Sequence, residues 1–442
     1  MRIGNVKISN VEGYITLFFI GFALRFIAFS INMPFESDVR TFQAWAFLLH
    51  EYGLSNFYYA DTFTDYPPMY MYVLWVLGFI RIALGIDFFS TQINLLFFMP
   101  AIISDVITTL LIYRLCRNII SDNNFGISFL IALAYSANPA VIINSAVWGQ
   151  VDSIHTLLLF LALSGIVKKQ TLPIYLLYGI AVLTKPQSLI VAPVFLYSAF
   201  HYFKENEYSP KSAATMVGYA ALTFLFMALL SLPFVHGFDL TPVLRQYFDT
   251  MGTYPFASHN AYNFYALTGG NRQAITLFYV VVSVVAIVGV TIMSFWILHH
   301  NWSEKSALFV AGLLFTITFV FSVRMHERYL FPALLFFLAA AIYNEKDKQK
   351  IIGKTRRKSK HKSKQKDIRL FILYGAFSVT LFINCADVLL QFHGMRFLTL
   401  GEASTGAFRP IDEGIALVSF INVVLAIYSL KIGLDIKKCT KT

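Results

Sequence analysis

Apolar residues run through this chain in long stretches, and short polar islands separate them. The runs fall at 13–32, 92–114, 125–147, 153–167, 172–184, 187–203, 210–234, 274–298, 305–322, 328–343, 370–391 and 414–435. A hydrocarbon core of about 30 Å takes about 20 apolar residues of helix. The pattern therefore predicts an all-α polytopic membrane protein with about twelve transmembrane helices. A transmembrane barrel would show alternating ten-residue strands, and these are absent. The pair 172–184 and 187–203 is interrupted by Lys185-Pro186-Gln187, and proline there predicts a broken helix facing a polar cavity.

One further apolar run, 69–86, is read as an interfacial helix because it carries Tyr, Trp and Arg81. With that choice every basic turn falls on one side: the N-terminus, 114–117, 168–169, 204–211, 299–305, 346–369 and the tail. Basic loops favour the cytoplasm. The expectation is a cell-membrane protein with both termini cytoplasmic and the polar islands 33–68, 144–152, 235–272, 323–328 and 392–413 extracytoplasmic. The N-terminal run carries Arg25 and no small-residue cleavage site, so it is read as a retained helix. Arg25 and Asp105 are the charges well inside spans in the first half, and they are expected to face one another or a cavity.

Composition agrees with the hydropathy. Residues are 57% hydrophobic and 13% charged, and the net charge is +11. Residues 346–369 hold twelve Lys/Arg against Asp347 and Asp367, a net +10, so nearly all of the excess sits in one loop. Such a loop anchors to anionic membrane lipid, and nucleic-acid binding is set aside. Cys116, Cys385 and Cys439 show no metal-ligand spacing and no disulfide framework.

Chemistry enters with the islands. In SDVRTFQAW, Ser37 can cap a helix, Asp38 follows in its first turn, and 38, 42 and 45 share a face. A plain interfacial helix with Asp38 set against its dipole is the bland alternative. DYPPMY supplies Asp65 and Tyr66 on a stiff turn. WGQVDS supplies Trp148, Gln150 and Asp152, and the broken helix supplies Lys185 and Gln187. RMHERYLFP brings His326, Glu327 and Arg328 together at a membrane edge, where charge is costly unless it serves something or forms a local ion network. SHNAYNFYALTGG places Asn260 and Asn263 beside aromatics, which suits sugar rings or a well-packed loop.

Polar groups gathered on one leaflet suit an enzyme that meets one substrate in lipid and one in water. For a sugar carried on a lipid phosphate, one base suffices, because the phosphate leaves without a proton. Asp38 is the candidate base, taking a proton from an acceptor hydroxyl. Lys185, Gln187, His326 and Arg328 are candidates for the donor phosphate. Asp65, Tyr66, Trp148, Gln150, Asp152, Asn260 and Asn263 are candidates for the donor and acceptor sugars. The displacement inverts the anomeric centre. A transporter would place its polar groups nearer the midplane, often in repeated halves, and no internal repeat is visible. A lipid or sugar-lipid transporter without catalysis remains the alternative, and a scaffold for envelope assembly is a third reading.

In SDVRTFQAW, DYPP, NPAVIINSAVWGQVDS, LTKPQ, NAYNFYAL and RMHERYLFP, the chain resembles the GT-C superfamily of polyprenyl-phosphate-sugar-dependent glycosyltransferases. It is most similar to the bacterial family related to the second mannosyltransferase of GPI-anchor assembly. The resemblance spans about residues 37–332. It implies a catalytic module over 1–234 with a catalytic loop at 33–91, an extracytoplasmic loop at 235–273, and a variable module at 274–442 whose basic cytoplasmic loop is 344–369. It implies juxtamembrane helices in the first loop, a catalytic aspartate at Asp38 and a supporting acidic position at Asp65. Where oligosaccharide-extending relatives carry Gly-Asp-Tyr-Glu, this chain has Ser-Asp-Val-Arg, so Arg40 replaces an acidic neighbour. No metal site and no cofactor is expected, although Asp152 could ligate a divalent metal as in related oligosaccharyltransferases. The expected partners are a polyprenyl-phosphate hexose (mannose, glucose or galactose), a cell-envelope glycolipid or glycopolymer acceptor, and membrane lipids. The chain is expected to act as a monomer.

Overall fold

The computed structural model describes residues 8–87, 90, 93–120, 125–248, 254–355, 368–395 and 413–436, with backbone alone for 8–10, 345–355 and 436. Among the described residues the chain is all-α apart from one short strand pair. Residues 356–367 of the basic loop lie outside the described residues, as does Cys439.

Each apolar run of the sequence is helical over most of its length. A backbone surrounded by hydrocarbon must satisfy its own hydrogen bonds, and a helix does so within one segment. Among the described residues seven helices are long and apolar enough to cross a membrane. They are Val11–Phe29, Asn94–Ile119, Pro210–Phe234, Leu277–His300, Glu304–Phe321, Arg369–Phe392 and Glu413–Asp435. The pair Phe125–Ser136 and Pro139–Val147 passes the same test together and is bent by 43°. Pro68–Ala83, Asp152–Ile166, Leu172–Thr184 and Phe331–Asn344 are apolar but shorter. These helices make the chain a membrane-embedded helical protein.

The helices that matter to the site are α1 (Ile8–Phe29), α2 (Glu36–Tyr52), α3 (Pro68–Ala83), α4 (Asn94–Ile119), α5 (Phe125–Ser136), α6 (Pro139–Ile142), α7 (Asp152–Ile166) and α8 (Leu172–Thr184). Sequence neighbours pack as hairpins: α2 on α3, α4 on α5, and α7 on α8. Helix α2 starts at Glu36, with Phe35 at the cap position and no side-chain cap. Ser37 is therefore not the N-cap expected of it. It lies inside the first turn, and its carbonyl accepts the Thr41 hydroxyl at 2.9 Å. Helix α3 contains most of the 69–86 run and packs against α2, α4 and α8. Arg81 stays at its end, where Nη1 donates to the Ile86 carbonyl at 2.6 Å.

Helix α8 ends at Thr184. Lys185 is extended (φ −155°, ψ 129°), a 3-10 turn covers Pro186–Val191, and α9 (Ala192–Glu205) resumes the run. The break expected at Lys-Pro-Gln is thus present, because Pro186 removes a donor and pushes Lys185 out of helical geometry.

The remaining helices are α10 (Pro210–Ser231), α11 (Thr241–Phe248), α12 (Phe264–Leu267), α13 (Leu277–His300), α14 (Glu304–Phe321), α15 (Phe331–Thr355), α16 (Arg369–Phe392) and α17 (Glu413–Ile436). The main core gathers on α14 and α15, which pack on each other and on α7. Phe309, Leu313 and Val320 of α14 and Phe336, Phe337 and Ala340 of α15 are fully covered. A second core joins α2, α3 and the start of α4 through Phe42, Trp45, Tyr70, Leu74 and Phe97.

Arg25 and Asp105 do face one another. Arg25 Nη2 lies 3.1 Å from Asp105 Oδ2, and Nη1 donates to the carbonyls of Gly21 (3.0 Å) and Ser136 (3.1 Å). Both side chains are fully buried, which ties α1, α4 and the end of α5 together.

Candidate functional site

The site begins with the stretch between α5 and α7. Pro139 cannot continue α5, and Asn138 caps the short α6 by accepting from the Ala140 amide. Its Nδ2 also donates to Tyr374 and Ser378 on α16, which pins the bend. The chain then widens into a π-helical turn, Ile143–Val147, a form often found at functional sites. Gly149 follows with φ +76°. A Cβ there would run into the Phe98 ring, so this close approach requires glycine. The Gln150 amide returns to the Asn144 carbonyl at 2.9 Å, and Asp152 opens α7.

This turn delivers Trp148 and Gln150 to Asp38. Trp148 Nε1 donates to Asp38 Oδ2 at 2.9 Å, and Gln150 Nε2 donates to the same oxygen at 2.5 Å. Asp38 stands in the first turn of α2 above the buried Phe42 and Trp45, and its side chain is 25% exposed. Trp148 stacks on Phe35, the residue that precedes α2. Among the described residues no donor reaches Asp38 Oδ1.

Arg328 comes from the turn between α14 and α15. Its Nη2 lies 3.7 Å from Asp38 Oδ2, its Nε lies 3.8 Å from Asp152 Oδ2, and its Nη1 lies 2.5 Å from Glu327 Oε1. The last is a charge-assisted hydrogen bond; the other two are ion pairs beyond hydrogen-bond length. The guanidinium also lies 5.5 Å from the centroid of the Trp148 ring. Asp152 is fully engaged: Lys185 Nζ reaches Oδ1 at 2.5 Å and Asn144 Nδ2 reaches Oδ2 at 3.2 Å. His155, one turn along α7, stands 3.6 Å from Oδ1. Lys185 is 1% exposed and lies between the rings of Tyr66 and Tyr329, at 5.9 and 5.3 Å. The break after α8 is what allows an ammonium to end there.

Asp65 and Tyr66 close another side. The turn that carries them is held by Tyr58, which donates to the Tyr66 carbonyl at 2.8 Å. Tyr254 donates to Asp65 Oδ2 at 3.5 Å. Burial pushes the Asp65 carboxyl up to about 6, against the pull of Arg328 and Lys185 and with the help of the Asp38 charge. His326 is brought in by the strand pair: β1 (Ser258–His259) runs parallel to β2 (Met325–His326), with His259 opposite His326. Tyr254 and His259 both contact the His326 ring at 4.5 Å. Burial first, and then the Arg328 charge, push the His326 imidazole well below its usual range. It is therefore neutral and offers a hydrogen bond rather than a positive charge.

The structure thus brings together Asp38, Asp65, Tyr66, Trp148, Gln150, Asp152, Lys185, His326 and Arg328 at one end of the bundle. Gln187 sits one residue beyond the break, half-buried, and its Oε1 has no partner among the described residues. Asn263 and Asn260 both make contacts within the protein. Asn263 is fully buried, accepts from the Tyr265 and Ala266 amides as the cap of α12, and donates to the Phe319 carbonyl. Asn260 has φ +61°, accepts from Arg272 through its side chain and from Asn384 through its carbonyl. An asparagine beside aromatics looks alike in sequence whether it caps a helix or meets a sugar.

Four contributors were not singled out from sequence: Asn144, His155, Tyr254 and Tyr329. His155 had a usable cue, since it lies three residues after Asp152 and so on the same helical face. Tyr254 had none, because nothing local ties it to Asp65. No protein-family model matches this chain, and no curated protein matches it.

Proposed function

We propose that the protein is an inverting membrane glycosyltransferase that moves a hexose from a polyprenyl-phosphate donor to an acceptor hydroxyl. One observation carries the reading. A carboxylate with one oxygen open, Asp38, stands beside a guanidinium, Arg328, whose contact to it is 3.7 Å and so is open to competition by a ligand. In the reaction the acceptor oxygen gives its proton to Asp38 and its electron pair to the anomeric carbon. The bond from that carbon to the phosphate oxygen breaks, and its electrons leave with the polyprenyl phosphate. Arg328 and Lys185 balance the added charge on the leaving phosphate. His326 can add a hydrogen bond.

Asp152 serves this scheme as a partner of the cations. Lys185 and Asn144 occupy its two oxygens, so the residues around it do not suit a divalent metal. The acceptor belongs to the aqueous side of the cell envelope, and the site accordingly faces outward in a twelve-span arrangement with cytoplasmic termini. That arrangement follows from the basic turns of the sequence.

Transfer of radiolabelled mannose, glucose or galactose from the corresponding polyprenyl phosphates to native membrane extract tests the function. Asp38→Asn keeps the shape and the partners of Oδ2 but removes the base, so transfer is expected to vanish while protein levels hold. Undiminished transfer by Asp38→Asn would remove Asp38 as base. Absence of transfer from every donor by the wild-type protein would favour transport instead.

A further inference from the structure

We propose that Trp148 and Gln150 are positioning residues for Asp38, which fix Oδ2 and leave Oδ1 as the oxygen that meets the acceptor hydroxyl. The inference rests on the reading of Asp38 as base. It goes beyond that reading by moving these two side chains from sugar contact to control of the carboxylate.

The geometry is one-sided. Two neutral donors, at 2.9 and 2.5 Å, and the Arg328 guanidinium at 3.7 Å all converge on Oδ2. None of the described residues donates to Oδ1. A carboxylate held by one oxygen cannot rotate the other away from its target without breaking these bonds. Both clamp residues are also unavailable to a sugar. Trp148 is 1% exposed, with one face stacked on Phe35 and its ring against Arg328. Gln150 is 0% exposed.

The clamp is built into the backbone. The π-helical turn and the φ of +76° at Gly149 aim two side chains, two residues apart, at one atom. In a regular helix such residues diverge. The Gln150 amide is tied to Asn144, whose side chain in turn holds Asp152. One turn therefore sets both the base and the carboxylate that holds Lys185.

Two measurements test the proposal. The first needs no substrate. Protein labelled with 5-fluorotryptophan contains five tryptophans, and the Trp148 resonance is the one lost in Trp148→Phe. It is expected to move in Asp38→Asn, because the indole N–H then faces a neutral amide. The second is kinetic, with mannosyl-phospho-polyprenol as donor and thermal unfolding as the check on folding. Trp148→Phe keeps a ring over Arg328, and Gln150→Leu keeps the volume. Each is expected to lower kcat roughly 10- to 100-fold, since a hydrogen bond to a charged group is lost, with donor KM within about twofold.

A Trp148 resonance unmoved by Asp38→Asn would overturn the clamp. So would variants that raise KM and keep kcat, which would return both residues to sugar binding. A resonance that moves, in a wild-type protein that transfers no hexose from mannosyl- or glucosyl-phospho-polyprenol, keeps the clamp and removes the glycosyltransferase reading.

Discussion

Two buried charge clusters behave as opposites. Arg25 and Asp105 form a closed pair: one cation and one anion, both fully buried, with Nη1 of the guanidinium donating to two carbonyls. The cluster around Arg328 is unbalanced and loose. Asp38, Asp65, Asp152 and Glu327 gather around Arg328 and Lys185, and two of the Arg328 contacts are 3.7 and 3.8 Å. The first arrangement ties helices together and is sealed from solvent. The second leaves a carboxylate oxygen open and a cation that is fixed by Glu327 but only loosely engaged with that carboxylate, at a partly exposed face. The difference teaches that it is bonding capacity open to a partly exposed face, and not charge in the membrane as such, that marks a candidate site.

The sharpest test breaks the closed pair. Asp105→Ala strands Arg25 and is expected to cost about 3–5 kcal/mol of stability, read as lowered thermal stability in detergent. The double change Arg25→Met with Asp105→Leu is expected to recover most of it, because no unpaired charge remains. A double variant as weak as the single one would show that the pair contributes more than charge balance.

Gly149→Ala comes next. It forces a side chain into a left-handed backbone and against Phe98, with an expected cost of about 1–3 kcal/mol. Here stability and transfer should fall together, since the turn carries the clamp. Arg328→Lys probes the loose cluster alone. It keeps the charge but loses the planar fork, so transfer from mannosyl-phospho-polyprenol should fall about 10- to 100-fold. Unfolding should change less than in Asp105→Ala, because an ammonium keeps a charge beside the buried Glu327. A large loss of stability with unchanged transfer would make Arg328 a counterpart of Arg25.

The smallest effect concerns Asp65. Its carboxyl is raised from 3.8 to about 6, so the folded protein holds this proton more tightly than the unfolded chain does. Stability is therefore lost as pH rises through that window. Asp65→Asn removes the ionisation. Its melting temperature should match the wild type near pH 4 and exceed it above about pH 6. An advantage of equal size at both ends would show that the Asp65 carboxyl titrates alike in the folded and unfolded protein.

Much of the local detail was legible in the chain. The spacing of 38, 42 and 45 forecast an acidic residue standing over a buried aromatic face, and Phe42 and Trp45 are indeed buried beneath Asp38. Lys185-Pro186 forecast the broken helix. Ser37 was misread, because the helix starts two residues earlier and has no side-chain cap there. Asn260 and Asn263 suited sugar binding by composition, yet the Asn263 amide holds the backbone and the Asn260 amide accepts from Arg272. Trp148 and Gln150 were visible as candidates, but their partner is 110 and 112 residues away, and no local pattern encodes that contact.

The same limit applies to the whole bundle. Sequence alone determined that the chain is helical and membrane-embedded, because apolar runs of this length leave no other way to satisfy the backbone in hydrocarbon. Hydropathy does not distinguish a helix that faces lipid from one that faces protein. Pro210–Ser231 keeps Val217, Phe224 and Leu229 exposed, while Glu304–Phe321 is covered by its neighbours. Only the tertiary structure decided which helices form the interior, and only packing brought Arg328 beside Asp38. Hydrophobic burial has no direction, so it selects helices as a class; the positions of single polar atoms depend on how those helices dock.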